Sequence, residues 1–216
     1  PKLTSVGSKR SETVIGHILK SPISLGIYKD VQEYDKTPHE GYYTQEEIKD
    51  IVSYANDRFV TVIPEIDLPG HTSALIAAYP ELGSSTKNIG VKTIWGVQDD
   101  IIKPTENTFN FLKDIFTEVA NLFPSKYIHI GGDEANKKQW IESEEVQKII
   151  KNLKLENEAQ LQSYFISRIE KILKSLDKKI IGWDEIIQGG LNPNATVMSW
   201  RGIKGGITAA KAGNNA

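Results

Sequence analysis

Two adjacent carboxylates, Asp133 and Glu134, stand directly after a glycine pair, Gly131 and Gly132, at the end of the run Tyr127-Ile128-His129-Ile130. Neighbouring acids are costly to desolvate unless they meet water, a partner or a substrate. Glycine has no Cβ, so a ligand or another backbone can approach closely at that point. One carboxyl of such a pair can donate and accept a proton while its neighbour orients the reacting group, which is general acid/base chemistry. The competing reading makes both acids caps of a following helix. A second polar cluster, Asp67-Leu68-Pro69-Gly70-His71, and a third, Gly182-Trp183-Asp184-Glu185, stand elsewhere in the chain. The Asp184-Glu185 pair is a rival for the acid. With no glycine pair before it, it is expected to be a solvated strand end. His129 shares a strand face with Gly131 and Asp133 and is expected to be an interior histidine outside the site.

The surrounding pattern must position these groups. Thr44-Gln45-Glu46-Glu47 is a capping box, and Ile48, Ile51, Val52 and Ala55 follow it at helical spacing as a core-facing stripe. A strand is expected over Val60–Asp67. A helix carrying Leu112, Ile115, Phe116, Val119 and Phe123 leads into the strand before Asp133. A further helix with Leu161, Phe165, Ile169, Ile172, Leu173 and Leu176 precedes the strand at 179–184. Ala195–Trp200 reads as the next strand, with a weak Ala- and Gly-rich helix at about 205–212. Strands alternating with helices imply βαβ units and a parallel sheet. Polar and aromatic residues gather at each strand's C-terminal end, as in a (β/α)8 barrel. No GxGxxG fingerprint supports a dinucleotide fold. A closed barrel needs eight strands and about 250 residues, so the expectation is a central portion of one, about strands 3 to 6, truncated at both ends.

The 216 residues are 39% hydrophobic and 25% charged, with a net charge of −2 and no cysteine. That composition fits a folded domain and gives no basic footprint for nucleic acid. No apolar run approaches the roughly 20 residues of a membrane span. Disulfides and thiolate chemistry are excluded. The chain's start does not resemble a signal peptide.

Four motifs, Pro64-Glu65-Ile66-Asp67-Leu68-Pro69-Gly70-His71, His129-Ile130-Gly131-Gly132-Asp133-Glu134, Gly182-Trp183-Asp184-Glu185 and Ser199-Trp200-Arg201, together resemble the family 20 glycoside hydrolases, the β-N-acetylhexosaminidases. The resemblance implies a (β/α)8 catalytic domain that removes terminal N-acetylglucosamine or N-acetylgalactosamine from glycans with retention of configuration. It implies Glu134 as general acid/base and Asp133 as the group holding the substrate's acetamido N–H while its carbonyl forms an oxazolinium. Substrate assistance is this family's known exception to the two-carboxylate scheme. His71 and Asp67 are implied as supporting residues, and Trp183 and Trp200 as aromatic walls for the N-acetyl group and sugar face. The sequence agrees with a single acid. Residues adjacent on an extended strand point to opposite faces, whereas an ordinary retaining pair must flank one bond at about 5–5.5 Å.

The family's first-strand arginine, second-strand aspartate and the tyrosine and aspartate after its seventh strand have no counterparts among these residues. The 216-residue piece by itself is therefore expected to turn over poorly. It is also expected to expose barrel edges through which copies could associate. No cofactor and no metal is expected, and an extracytoplasmic location follows from the family alone. Trp140 reads as a packing residue, and Trp95 as a loop residue able to reach an outer sugar subsite. The alternatives are a non-catalytic sugar-binding or structural barrel fragment, and a metal-dependent hydrolase using His71, His129, Asp67 and Asp133. No HxH or HExxH spacing supports the latter.

Overall fold

The computed structural model describes residues 1–16, 33–94 and 96–216, so Trp95 lies outside the described residues. In chain order the elements are α1 (Lys2–Ser5), β1 (Lys9–Arg10), β2 (His39–Glu40), α2 (Gln45–Asn56), α3 (Ser73–Ala78), α4 (Glu106–Leu122), β3 (Tyr127–His129), α5 (Lys138–Glu142), α6 (Glu144–Asn152), α7 (Glu158–Ser175), β4 (Lys179–Trp183), β5 (Thr196–Met198) and α8 (Ile203–Lys211). Single 3-10 turns cover Pro80–Leu82 and Asp184–Ile187.

β3, β4 and β5 form a parallel sheet in that order, with Ile128 opposite Ile180 and Trp183 opposite Met198. The expected strand at Val60–Asp67 is reduced to one parallel bridge, Glu65 to His129. The segment still runs along β3. His129 N–H donates to Pro64 O, Ile66 N–H to His129 O, and Leu68 N–H to Ile130 O, each at 2.9 Å. Pro64 has no N–H to extend the ladder. Among the described residues Phe59, Val60 and Ile63 of this segment are exposed. The described residues therefore form an open α/β sheet and no closed barrel. β1 and β2 pair antiparallel, a small unit that the periodicity did not reveal.

The core lies between the sheet and the α4–α7 pair. Phe109, Leu112 and Phe116 of α4 meet Phe165, Ile169 and Leu173 of α7 over Ile128, Ile180 and Val197. The two helices are also tied at their surface. Arg168 holds Glu106 through its two terminal guanidinium nitrogens, at 2.5 and 2.8 Å, and lies 4.2 Å over the Phe109 ring. A second cluster packs Trp140 with Ile101, Val146, Ile150 and Leu161, and the Trp140 indole donates to Ile102 O at 2.9 Å.

α2 corrects one expectation. Its capping box forms as read, with Thr44 and Glu47 bonding reciprocally. Its apolar stripe does not reach the core, because no residue of the helix is buried and Ile51 is 43% exposed. Amphipathic spacing creates a face that can be buried, but it does not supply the surface that buries it.

Candidate active site

Because the strands are parallel, their C-terminal ends and the residues that follow collect on one edge of the sheet. β3 stops at His129, short of the carboxylates, because the glycines turn the chain with φ of 63° at Gly131 and 96° at Gly132. Both positions also exclude a side chain. A Cβ on Gly131 would lie 1.8 Å from Asp67 Oδ1, and one on Gly132 would lie 2.5 Å from the Ile186 Cγ2 methyl. The turn is held from two sides. Gly132 N–H donates to Asp67 Oδ1 at 3.1 Å, and the buried Gln162 amide of α7 donates to Gly132 O at 2.8 Å. Gln162 escaped the sequence reading. The signal was present, as a polar residue on the apolar face made by Leu161, Phe165 and Ile169. Gly131→Ala is expected to destabilise the protein by about 3 kcal/mol or more through overpacking and a disfavoured φ, as measured by the urea unfolding midpoint.

The turn changes how the two acids relate. Glu134 adopts a φ of 46°, so Asp133 and Glu134 do not alternate as strand neighbours would. They converge instead on one imidazole. His71 Nε2 lies 3.6 Å from Asp133 Oδ2 and 3.3 Å from Glu134 Oε2. His71 is itself left-handed, with a φ of 52°, in the loop after Leu68 and Pro69. The three side chains are 29%, 17% and 35% exposed respectively, open enough for an incoming ligand. Adjacency thus gives two carboxylates on the same side, not on opposite faces, and the argument for a single acid no longer rests on strand alternation.

Asp67 sits beneath this group. Burial, and next the charge of Asp133, push its pKa up to about 8, against the opposing Gly132 N–H. The carboxyls here therefore retain a proton to higher pH than a free aspartate would. Asp67, His71 and Asp133 each place one ligating atom within 4.8 Å of the others. This is the set that the metal reading needs, without His129. Closely spaced carboxyls can also share protons.

His129 is buried, as expected, but it belongs to the floor of the site. Its Nδ1 accepts from Gly131 N–H at 3.1 Å and lies 3.3 Å from Glu65 Oε1. Burial holds its pKa down, with Glu65 opposing. The ring stands edge-on to Trp183, with centroids 4.7 Å apart. The Trp183 indole donates to Glu65 Oε1 at 3.1 Å. Trp200 is half exposed, and its indole donates to Glu185 Oε2 at 3.0 Å. Asp184 and Glu185 are buried, which corrects the expectation of a solvated strand end. Arg201 Nε lies 3.2 Å from Asp184 Oδ2 and 3.5 Å from Glu185 Oε1 and offsets part of their charge. This second acid pair is thereby committed to Arg201 and Trp200.

The whole chain, residues 1–216, matches the model of the glycosyl hydrolase family 20 catalytic domain. It is 46% identical over 211 residues to a beta-hexosaminidase of Porphyromonas gingivalis, covering 97% of this chain and 24% of that protein. A beta-hexosaminidase of Vibrio furnissii is 35% identical over 216 residues, covering 99% of this chain and 33% of that one. Among solved structures, a beta-N-acetylhexosaminidase superposes with a TM-score of 0.84 at 30% identity over 100% of this chain and 43% of its own. The Vibrio harveyi exo beta-N-acetylglucosaminidase, solved with N-acetylglucosamine, gives 0.74 at 31% identity over 83% and 28%. The chain spans a quarter to a third of the two hexosaminidases it matches in sequence. Both the four motifs and the turn that gathers two acids around a histidine lie within the matched region, and the chain belongs to glycosyl hydrolase family 20.

Proposed function

We propose that the protein carrying this chain is a retaining exo-β-N-acetylhexosaminidase, and that these residues form a central part of its (β/α)8 catalytic domain. The observation that carries the reading is the convergence of Asp133 and Glu134 on His71 Nε2 at 3.6 and 3.3 Å. Glu134 donates its proton to the glycosidic oxygen as the bond to the anomeric carbon breaks. The substrate's acetamido oxygen closes on that carbon from the opposite face, giving an oxazolinium. Asp133 accepts the acetamido N–H and stabilises the positive charge that develops there. Glu134, now ionised, takes a proton from the water that opens the ring. His71 Nε2 lies between the two acids, within ion-pair reach of both. A proton retained by Asp67 beneath them limits the negative charge of the group. Trp183 and Trp200 offer apolar ring faces to the sugar and the acetyl methyl.

Two matched hexosaminidases and a relative solved with N-acetylglucosamine support that substrate class. An extracytoplasmic site of action fits glycan breakdown. Among the described residues no helix is long and apolar enough to cross a membrane.

The test compares a chromogenic N-acetyl-β-glucosaminide with the corresponding β-glucoside on the full-length protein. Only the first is expected to be cleaved, with the β-anomer of the product released first, as followed by proton NMR. Equal cleavage of the glucoside, or first release of the α-anomer, would overturn the reading.

A further inference from the structure

Both tryptophans on the rim of the site carry the same arrangement. Each indole N–H ends on a glutamate from another element. Trp183, at the end of β4, donates to Glu65, which lies in the segment two places across the sheet on the far side of β3. Trp200, in the loop after β5, donates to Glu185 in the 3-10 turn Asp184–Ile187. An indole is pinned at its Cβ but can swing about two side-chain torsions, and a bond at Nε1, the far edge, removes that freedom. The bonds are charge-assisted, which makes each roughly twice as strong as a neutral one. The bonded oxygens are Glu65 Oε1 and Glu185 Oε2. Each is taken up by an indole, and Glu185 also by Arg201.

We propose that Glu65 and Glu185 are positioning residues that fix the planes of Trp183 and Trp200, and so set how tightly the sugar and its N-acyl group are gripped. Glu65 reaches Trp183 across β3. Its Oε1 receives the indole N–H of Trp183, while the His129 ring backs the indole edge-on. The Trp183 plane is thereby referred to two neighbouring strands at once. Glu185 is buried and faces the exposed Arg201 guanidinium at 3.5 Å, so Trp200 is oriented by a buried carboxylate although half its own surface is open.

The inference rests on the hexosaminidase reading for its kinetic consequence but not for its structural one, and both are measured in the full-length protein. Glu65→Leu is expected to raise KM for the N-acetylglucosaminide about tenfold while kcat changes less than about threefold, because a mobile wall weakens uniform binding. Glu65→Gln keeps an oxygen acceptor and should recover most of the loss. In a Trp183→Phe background there is no indole N–H to hold, so Glu65→Leu should add less than about twofold. Glu185 is tested in the same way against Trp200→Phe. Independently of turnover, the 15N-labelled indole resonance of Trp183, assigned by its loss in Trp183→Phe, should exchange with solvent faster in Glu65→Leu and remain protected in Glu65→Gln. Unchanged indole exchange in Glu65→Leu, or an undiminished effect in the Trp183→Phe background, overturns the proposal. Wild-type protein that cleaves no N-acetylhexosaminide, yet shows the exchange difference, overturns the hexosaminidase reading and leaves the clamp standing.

Discussion

Replacing Glu134 with Gln in the full-length protein is expected to lower kcat for an unactivated N-acetylglucosaminyl disaccharide by about a thousandfold, within the range for a lost general acid/base. The reason lies in what the substitution keeps. Gln preserves the volume and the left-handed turn at residue 134 and can still meet His71 across the 3.3 Å contact, but it has no proton to give to a departing alkoxide. A dinitrophenyl glycoside needs no such proton, so its cleavage to the oxazolinium should fall far less than that of the disaccharide. The comparison is made by steady-state kinetics on both substrates. An equal loss on both would mean that residue 134 serves folding or binding and not proton transfer. Asp133→Asn should behave differently. It leaves proton donation intact but weakens the hold on the acetamido group, so both substrates should lose rate together.

The second large effect concerns pH and Asp67. Its folded pKa of about 8 stands above the ordinary value of 3.8, so the folded protein binds a proton that the unfolded chain releases across that interval. The sign follows from linkage. Stability from this group is fully present below about pH 4, falls as pH rises, and is lost by about pH 8. Asp67→Asn keeps an oxygen to accept the Gly132 N–H and removes the ionisation. The variant should match wild type at pH 4–5, exceed it in stability at pH 8, and show a flatter urea midpoint against pH. A midpoint profile parallel to wild type across this interval would show that Asp67 is already ionised in the folded state. The environment supports the prediction, because burial is the leading cause of the shift and the nearby charge of Asp133 acts in the same direction.

Much of the scaffold was legible because it is local. The Thr44 capping box, the apolar faces of α4 and α7 and the β-branched runs of β3 and β4 each fix their own backbone through contacts a few residues apart. The Val60–Asp67 strand was legible in position but not in pairing, since a ladder depends on neighbours that the segment does not itself specify. The α2 stripe failed for the same reason. Spacing gave it an apolar face, and the described residues cover that face only in part, leaving Ile48, Val52 and Ala55 half-buried and Ile51 exposed.

By itself the sequence determined the family, through four short motifs, and which side chains stand at the strand ends. Both follow from residue identity and order along the chain. Tertiary structure alone decided how those side chains meet. Left-handed turns at Gly131, Gly132 and Glu134 swing adjacent acids onto a histidine from another strand end. Burial raises the proton affinity of Asp67, and glutamates remote from the tryptophans take their indole N–H groups. These outcomes depend on φ angles, desolvation and distances between segments many residues apart, which residue order along the chain does not express.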